Sequence, residues 1–169
     1  MIGFITCSEK GVADRLLADL AETLRADGCP VVALVRADVP ARFECEMHLR
    51  LLPDDRVVTI SQELGAGADA CTLDAGALEM AVAATEARIS EAPEGAVLIL
   101  NKFGKQEAAG RGVRGLIGQG LEAGMRVVLS APPETRADFL AFAGEMAEEL
   151  RADAGTLRAF ATQATVSVG

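Results

Sequence analysis

Residues 98–115, "LILNKFGKQEAAGRGVRG", begin as an apolar run and then turn basic, polar and glycine-rich. Lys102, Lys105, Arg111 and Arg114 stand here against one acid, Glu107, in a chain whose formal net charge is −9. Cations beside glycine at the mouth of a helix suit an anion. The glycine lets backbone approach a ligand, and helix N-termini carry a partial positive charge. "TCSEKG" (6–11) repeats these ingredients with Ser8, Lys10 and Gly11. The cations of 102–114 are therefore candidates for an oxyanion or phosphate pocket, with Lys105 the best single candidate. The plainer alternative is a solvated helix start whose Lys and Arg balance nearby Glu.

Efficient nucleotide hydrolysis would need more than these cations. A phosphate loop reads G-x-x-x-x-G-K-[ST], with Lys on the phosphates and a hydroxyl on magnesium. At 2–20 the strand–loop–helix context is right, but Lys10 precedes Gly11 and Val12 follows it. The strand at 96–100 should end in an acid that holds magnesium, yet Asn101 and Lys102 follow it. No residue is assigned a catalytic role on this pattern.

Other chemistry is weaker still. Cys45 and His48, three apart on an alternating strand, point to opposite faces and cannot chelate one ion. Cys45 is expected in the core beside Phe43 and Met47, and His48 on the polar face with Glu44 and Glu46. Cys71, in a Gly-rich loop near a helix start, is expected to be the more accessible thiol, with pairing to Cys45 as an alternative. With His48 the only histidine, a serine or cysteine triad is not expected, and no metal site is assigned.

The elements that would position the candidates follow from hydrophobic period. "IGFIT" (2–6), "VVALV" (31–35), "AVLIL" (96–100) and "RVVLS" (126–130) read as strands. Helical stripes are Val12, Leu16, Leu20, Leu24; then Leu78, Val82, Thr85, Ile89, capped by Asp74; then Val113, Leu116, Ile117, Leu121. A last stripe is Phe139, Ala143, Met146, Leu150, opened by a capping-box-like Thr135 and Asp138. "FECEMHLRL" (43–51) alternates strictly, turns at "PDDR" and returns as "VVTIS" (57–61), an antiparallel hairpin with one wet face. "QELGAGADACT" reads as a loop, and Leu157 and Phe160 dock the tail. The expectation is a single α/β domain over 1–169, a three-layer sandwich with a mostly parallel sheet and an antiparallel hairpin at 43–61. In such a sheet ligands sit beyond the carboxyl ends of the strands, where 6–11 and 101–107 lie.

Composition bounds the partners. At 169 residues folding buries roughly 70 % of the extended chain's surface, enough for one core without a metal or disulfide staple. Half the residues are apolar but only 4 % aromatic, with no Trp or Tyr, so Ala, Val, Leu and Ile must build that core. The acidic balance argues against nucleic acid. No apolar run reaches the roughly 18 residues of a membrane span, and no signal peptide is evident. Four scattered cysteines fit reduced cytoplasmic thiols better than a disulfide framework.

"LILNKFGKQEAAGRGVR", with "CEMHLRLL…ISQELG…CTLD" (45–74) and "FLAFAGEMAEEL" (139–150), resembles a bacterial family of unknown function often encoded near molybdate-transport genes. That family looks like a divergent branch of the small P-loop nucleoside-triphosphatases. In those enzymes the strand equivalent to 96–100 ends in an acid pair followed by I-G-K-x-E. By position, Asn101 and Lys102 replace the acids, while Gly104, Lys105 and Glu107 persist. The resemblance thus implies a P-loop-like fold with degenerate motifs. It adds Asn101, Gly104 and Glu107 to the ligand-binding set of Ser8, Lys10, Gly11, Lys102, Lys105 and Arg111. The expected function is cytoplasmic binding of a phosphorylated or oxyanionic ligand (nucleotide, phosphate or molybdate), with an accessory role in molybdenum metabolism. Alternatives are a slow nucleoside-triphosphatase and a protein-interaction module, with a protein partner or a homo-oligomer, whose hairpin docks a partner without any small ligand.

Overall fold

The computed structural model describes residues 1–42, 45–63 and 71–163, with residues 63 and 71 described by backbone only. Strands β1 (Ile2–Ile5), β2 (Val31–Arg36), β7 (Val97–Leu100) and β8 (Arg126–Ser130) are short apolar runs. Such runs fit strands covered on both faces. They form the parallel centre of a seven-stranded sheet. β3 (His48–Leu52) and β4 (Arg56–Thr59) extend it as the antiparallel hairpin, and β9 (Ala147–Glu149) closes the other edge, parallel to β1. The full order is β4-β3-β2-β7-β8-β1-β9.

Two cores sit on opposite faces of this sheet. Helices α1 (Val12–Ala26) and α6 (Ala154–Thr162) bury Leu17, Leu20, Leu24, Leu157 and Phe160 against one face. On the other, α2 (Ala75–Glu91), α4 (Arg114–Glu122) and α5 (Arg136–Ala143) bury Ala81, Ile89, Leu116, Ile117 and Phe139. The three-layer α/β sandwich is present, with its mostly parallel sheet and its hairpin.

Several details correct the sequence reading. Regular pairing of the hairpin begins at His48; Phe43 and Glu44 lie outside the described residues. Cys45 sits exposed in the turn before β3 instead of in the core, and it is disulfide-bonded. Its partner's side chain lies outside the described set, as does that of Cys71; Cys7 and Cys29 are free and half-buried. The face expected to be wet is only partly so: α1 lies over its His48 end, while Val57, paired with Arg50, stays exposed. His48 and Glu46 are buried, and Arg50 Nη1 lies 2.8 Å from Glu22 Oε1 of α1.

Segments expected to be loop or helix also pair. β5 (Ser61–Glu63) and β6 (Cys71–Leu73) form a separate antiparallel pair on either side of the Gly-rich stretch. α5 stops at Gly144, so Met146 is exposed and Leu150 joins the opposite core. Thr135 makes no side-chain cap; its hydroxyl is used elsewhere.

Candidate functional site

The loop after β7 is fixed by its neighbours. Asn101 N–H donates to the Leu34 carbonyl at 2.9 Å, and Phe103 N–H to that of Ser130 at 2.8 Å. Ser130 Oγ donates to the Asn101 carbonyl at 2.7 Å, and Thr135 Oγ1 to the Phe103 carbonyl at 2.6 Å. The Phe103 ring is fully buried, 5.3 Å from that of Phe139 and 5.6 Å from that of Phe142. A segment that satisfies its backbone this fully is held in one conformation.

Glu107 performs the next step. It lies in the short helix α3 (Lys105–Ala108) and is 6 % exposed. Oε2 accepts from Gly104 N–H at 2.8 Å and Oε1 from Val113 N–H at 2.9 Å, so one carboxylate ties both ends of the 104–113 turn. Gly112 follows from this. Its φ is +61°, and a Cβ there would lie 2.0 Å from Glu107 Oε1. Positive φ at Gly110 and Gly112 separates the short helix α3 from α4 (Arg114–Glu122), the helix whose stripe was expected from Val113. Arg114 is turned inward, its guanidinium 4.6 Å from the Phe142 ring centroid and donating to the Glu107 carbonyl at 3.3 Å.

Lys102, Lys105 and Arg111 stay outside, and the two lysines share a pocket. Lys102 and Lys105 are exposed, and neither forms an ion pair among the described residues. Both line a pocket of about 280 Å³ at the carboxyl ends of β2 and β7, together with Asn101, Gly104, Gln106, Glu107 and Glu134. Its walls are apolar: Leu34, Met47, Leu49, Ile60, Leu73, Leu78, Val113 and Pro132. Asn101 Oδ1 is buried and has no hydrogen-bond partner among the described residues. Sequence reading missed these walls, because they come from six separate segments. The alternation that set Met47, Leu49 and Leu51 on one face was the available signal.

The remaining candidates lie apart. Lys10 and Gly11 line a cavity of about 480 Å³ on the α1 face, with Arg36, Asp38, Glu46 and His48. Ser8 is exposed in the loop before α1. Arg111 lines a third cavity beside Glu79 and Glu86. In the α1-face cavity Glu46 Oε1 accepts from Arg42 Nε at 2.8 Å, and Arg42's hydrogen bonds hold its carboxyl below the usual range against the opposing effect of burial. His48 Nε2 lies 3.3 Å from Glu46 Oε2, and its Nδ1 3.0 Å from Thr59 Oγ1. Among the described residues no group of three or more His, Cys, Asp or Glu could hold a metal ion, and no helix is long and apolar enough to cross a membrane.

The arrangement can be set beside known proteins. The sequence pattern of the family described as protein of unknown function (DUF2478) matches residues 2–160. The chain belongs to this family. It is also 32 % identical over 149 residues to the molybdenum import ATP-binding protein ModC 2 of Bradyrhizobium diazoefficiens. That alignment covers 87 % of this chain but only 16 % of the length of that protein. Among solved structures, the fold is similar to that of a human cancer-related nucleoside triphosphatase, with a TM-score of 0.60 and 15 % identity. The likeness covers 86 % of this chain and 85 % of that one. The fold of this DUF2478 chain is thus similar to that of a nucleoside triphosphatase.

Proposed function

We propose that the protein binds a phosphorylated or oxyanionic ligand, a nucleotide, phosphate or molybdate, at the pocket beyond β7. The observation that carries this reading is the pairing of exposed Lys102 and Lys105 with a fixed, glycine-containing turn at the carboxyl ends of parallel strands. Glu107 serves the ligand indirectly by holding that turn. The printed names of a relative and of a fold neighbour, one ATP-binding and one a nucleoside triphosphatase, support an anionic ligand. The first of these names also motivates molybdate as a trial ligand and an accessory role in molybdenum metabolism.

Efficient hydrolysis is not part of this reading. Asn101 and Lys102 follow β7 where magnesium would need an acid, and loop 6–11 lacks the G-K-[ST] string. The purified protein should show no magnesium-dependent ATP or GTP turnover above background. It should still give saturable heats when titrated with ATP, phosphate or molybdate. Robust hydrolysis abolished by Lys10→Ala would replace this reading with that of an enzyme. Absence of binding by all three ligands would leave the lysines as a solvated helix start.

A further inference from the structure

The pocket is built for more than an oxyanion. A bare phosphate or molybdate needs donors and positive charge on several sides, as charge-assisted hydrogen bonds require. Here the cations stand only at the rim, on exposed Lys102 and Lys105, while the interior is lined by side chains such as Leu34, Leu49, Ile60 and Leu78. Such walls offer nothing to a tetrahedral anion and would strip its water without replacement. They suit an apolar or ring-shaped body, whose burial is favourable in proportion to the area removed from water.

Size narrows the body. A cavity of about 150 Å³ accommodates benzene, so the space of about 280 Å³ suits one or two rings. We infer that the pocket takes the ring body of a phosphate monoester, with the phosphate turned outward to Lys102 and Lys105. This inference rests on the anion-binding reading above and names its ligand class. It places that ligand on the α2 face of the sheet, away from loop 6–11.

Calorimetric titration of the full chain with four probes tests it: AMP, 1-naphthyl phosphate, inorganic phosphate and sodium molybdate. AMP and 1-naphthyl phosphate should each bind at least tenfold more tightly than either inorganic ion. Leu78→Trp, and independently Met47→Trp, fill the pocket from half-buried wall positions. Each should bring the ratio of AMP to inorganic phosphate affinity close to one. Inorganic phosphate or molybdate binding as tightly as AMP, in a Lys105-dependent way, overturns the inference and leaves the anion-binding reading standing. Organic phosphates that bind both tryptophan variants unchanged also overturn it. If none of the four probes binds the wild type, the anion-binding reading itself fails.

Discussion

Glu107 carries more of the site than either lysine, although it is the one acid in a basic stretch. Both of its oxygens accept buried backbone amides, from Gly104 and Val113, at 2.8 and 2.9 Å. Glu107→Ala leaves both donors unpaired, and each bond of this charged type is worth about 1.5–3 kcal/mol. The substitution should therefore cost about 3 kcal/mol or more, read as a fall in the denaturant midpoint with an unchanged slope. Glu107→Gln keeps one acceptor oxygen and should cost about half as much. Gly112→Ala should also be destabilising, since its Cβ meets the same carboxylate and its φ is left-handed. A Gly112→Ala protein as stable as wild type would mean that the turn is not held as described. These roles were only partly legible beforehand. Position and resemblance singled out Glu107, but nothing in the string shows that its carboxylate points into the turn.

The elements around the loop are fixed by contacts that cross the sheet. Thr135 illustrates this, because its hydroxyl, expected to cap α5, instead holds the Phe103 carbonyl at 2.6 Å. Thr135→Val keeps the shape, removes that bond and should cost about 1–2 kcal/mol, with reduced amide protection around Phe103 in hydrogen exchange. The true side-chain caps are Asp74 for α2 and Asp153 for α6, which accept from Ala77 and Thr156 N–H at 2.9 and 2.8 Å. These bonds hold both carboxyls below their ordinary range. A lowered folded-state value means that the stabilisation is complete above the unfolded value and is lost as pH falls through the folded one. Asp153→Ala should accordingly lower the melting temperature by a few degrees at pH 7. The difference from wild type should shrink below about pH 4, where an unfolded Asp begins to protonate. An undiminished difference at pH 2 would show that the carboxylate's charge is not what caps the helix.

At the scale of the molecule, the parallel strands were legible because their apolar runs have no other role than the double-sided core. The edges were not. β9 reads Ala147-Glu148-Glu149, half-buried to exposed, and only its pairing with β1 makes it a strand. Gly3 explains why that edge closes so tightly: a Cβ there would lie 2.6 Å from Leu150 Cδ1 and 2.7 Å from Phe160 Cε1. The hydrophobic alternation of 47–51 gave the correct inner face, yet it could not show that α1 lies over part of the outer one. Likewise the string 98–115 announced cations at a strand end, but the walls behind them come from segments between Leu34 and Pro132.

The central claim is that an anion binds at Lys102 and Lys105, on the α2 face, and not at loop 6–11 on the α1 face. Isothermal titration of ATP into the wild type, Lys105→Ala and Lys10→Ala tests it most directly. Removing one charge-assisted contact of about 1.5–3 kcal/mol corresponds to roughly a 10- to 150-fold loss. Lys105→Ala should lose affinity within that range, with unchanged fold stability because an exposed Lys contributes little to it. Lys10→Ala should bind as the wild type does. Equal affinity in Lys105→Ala, or a loss confined to Lys10→Ala, would contradict the account.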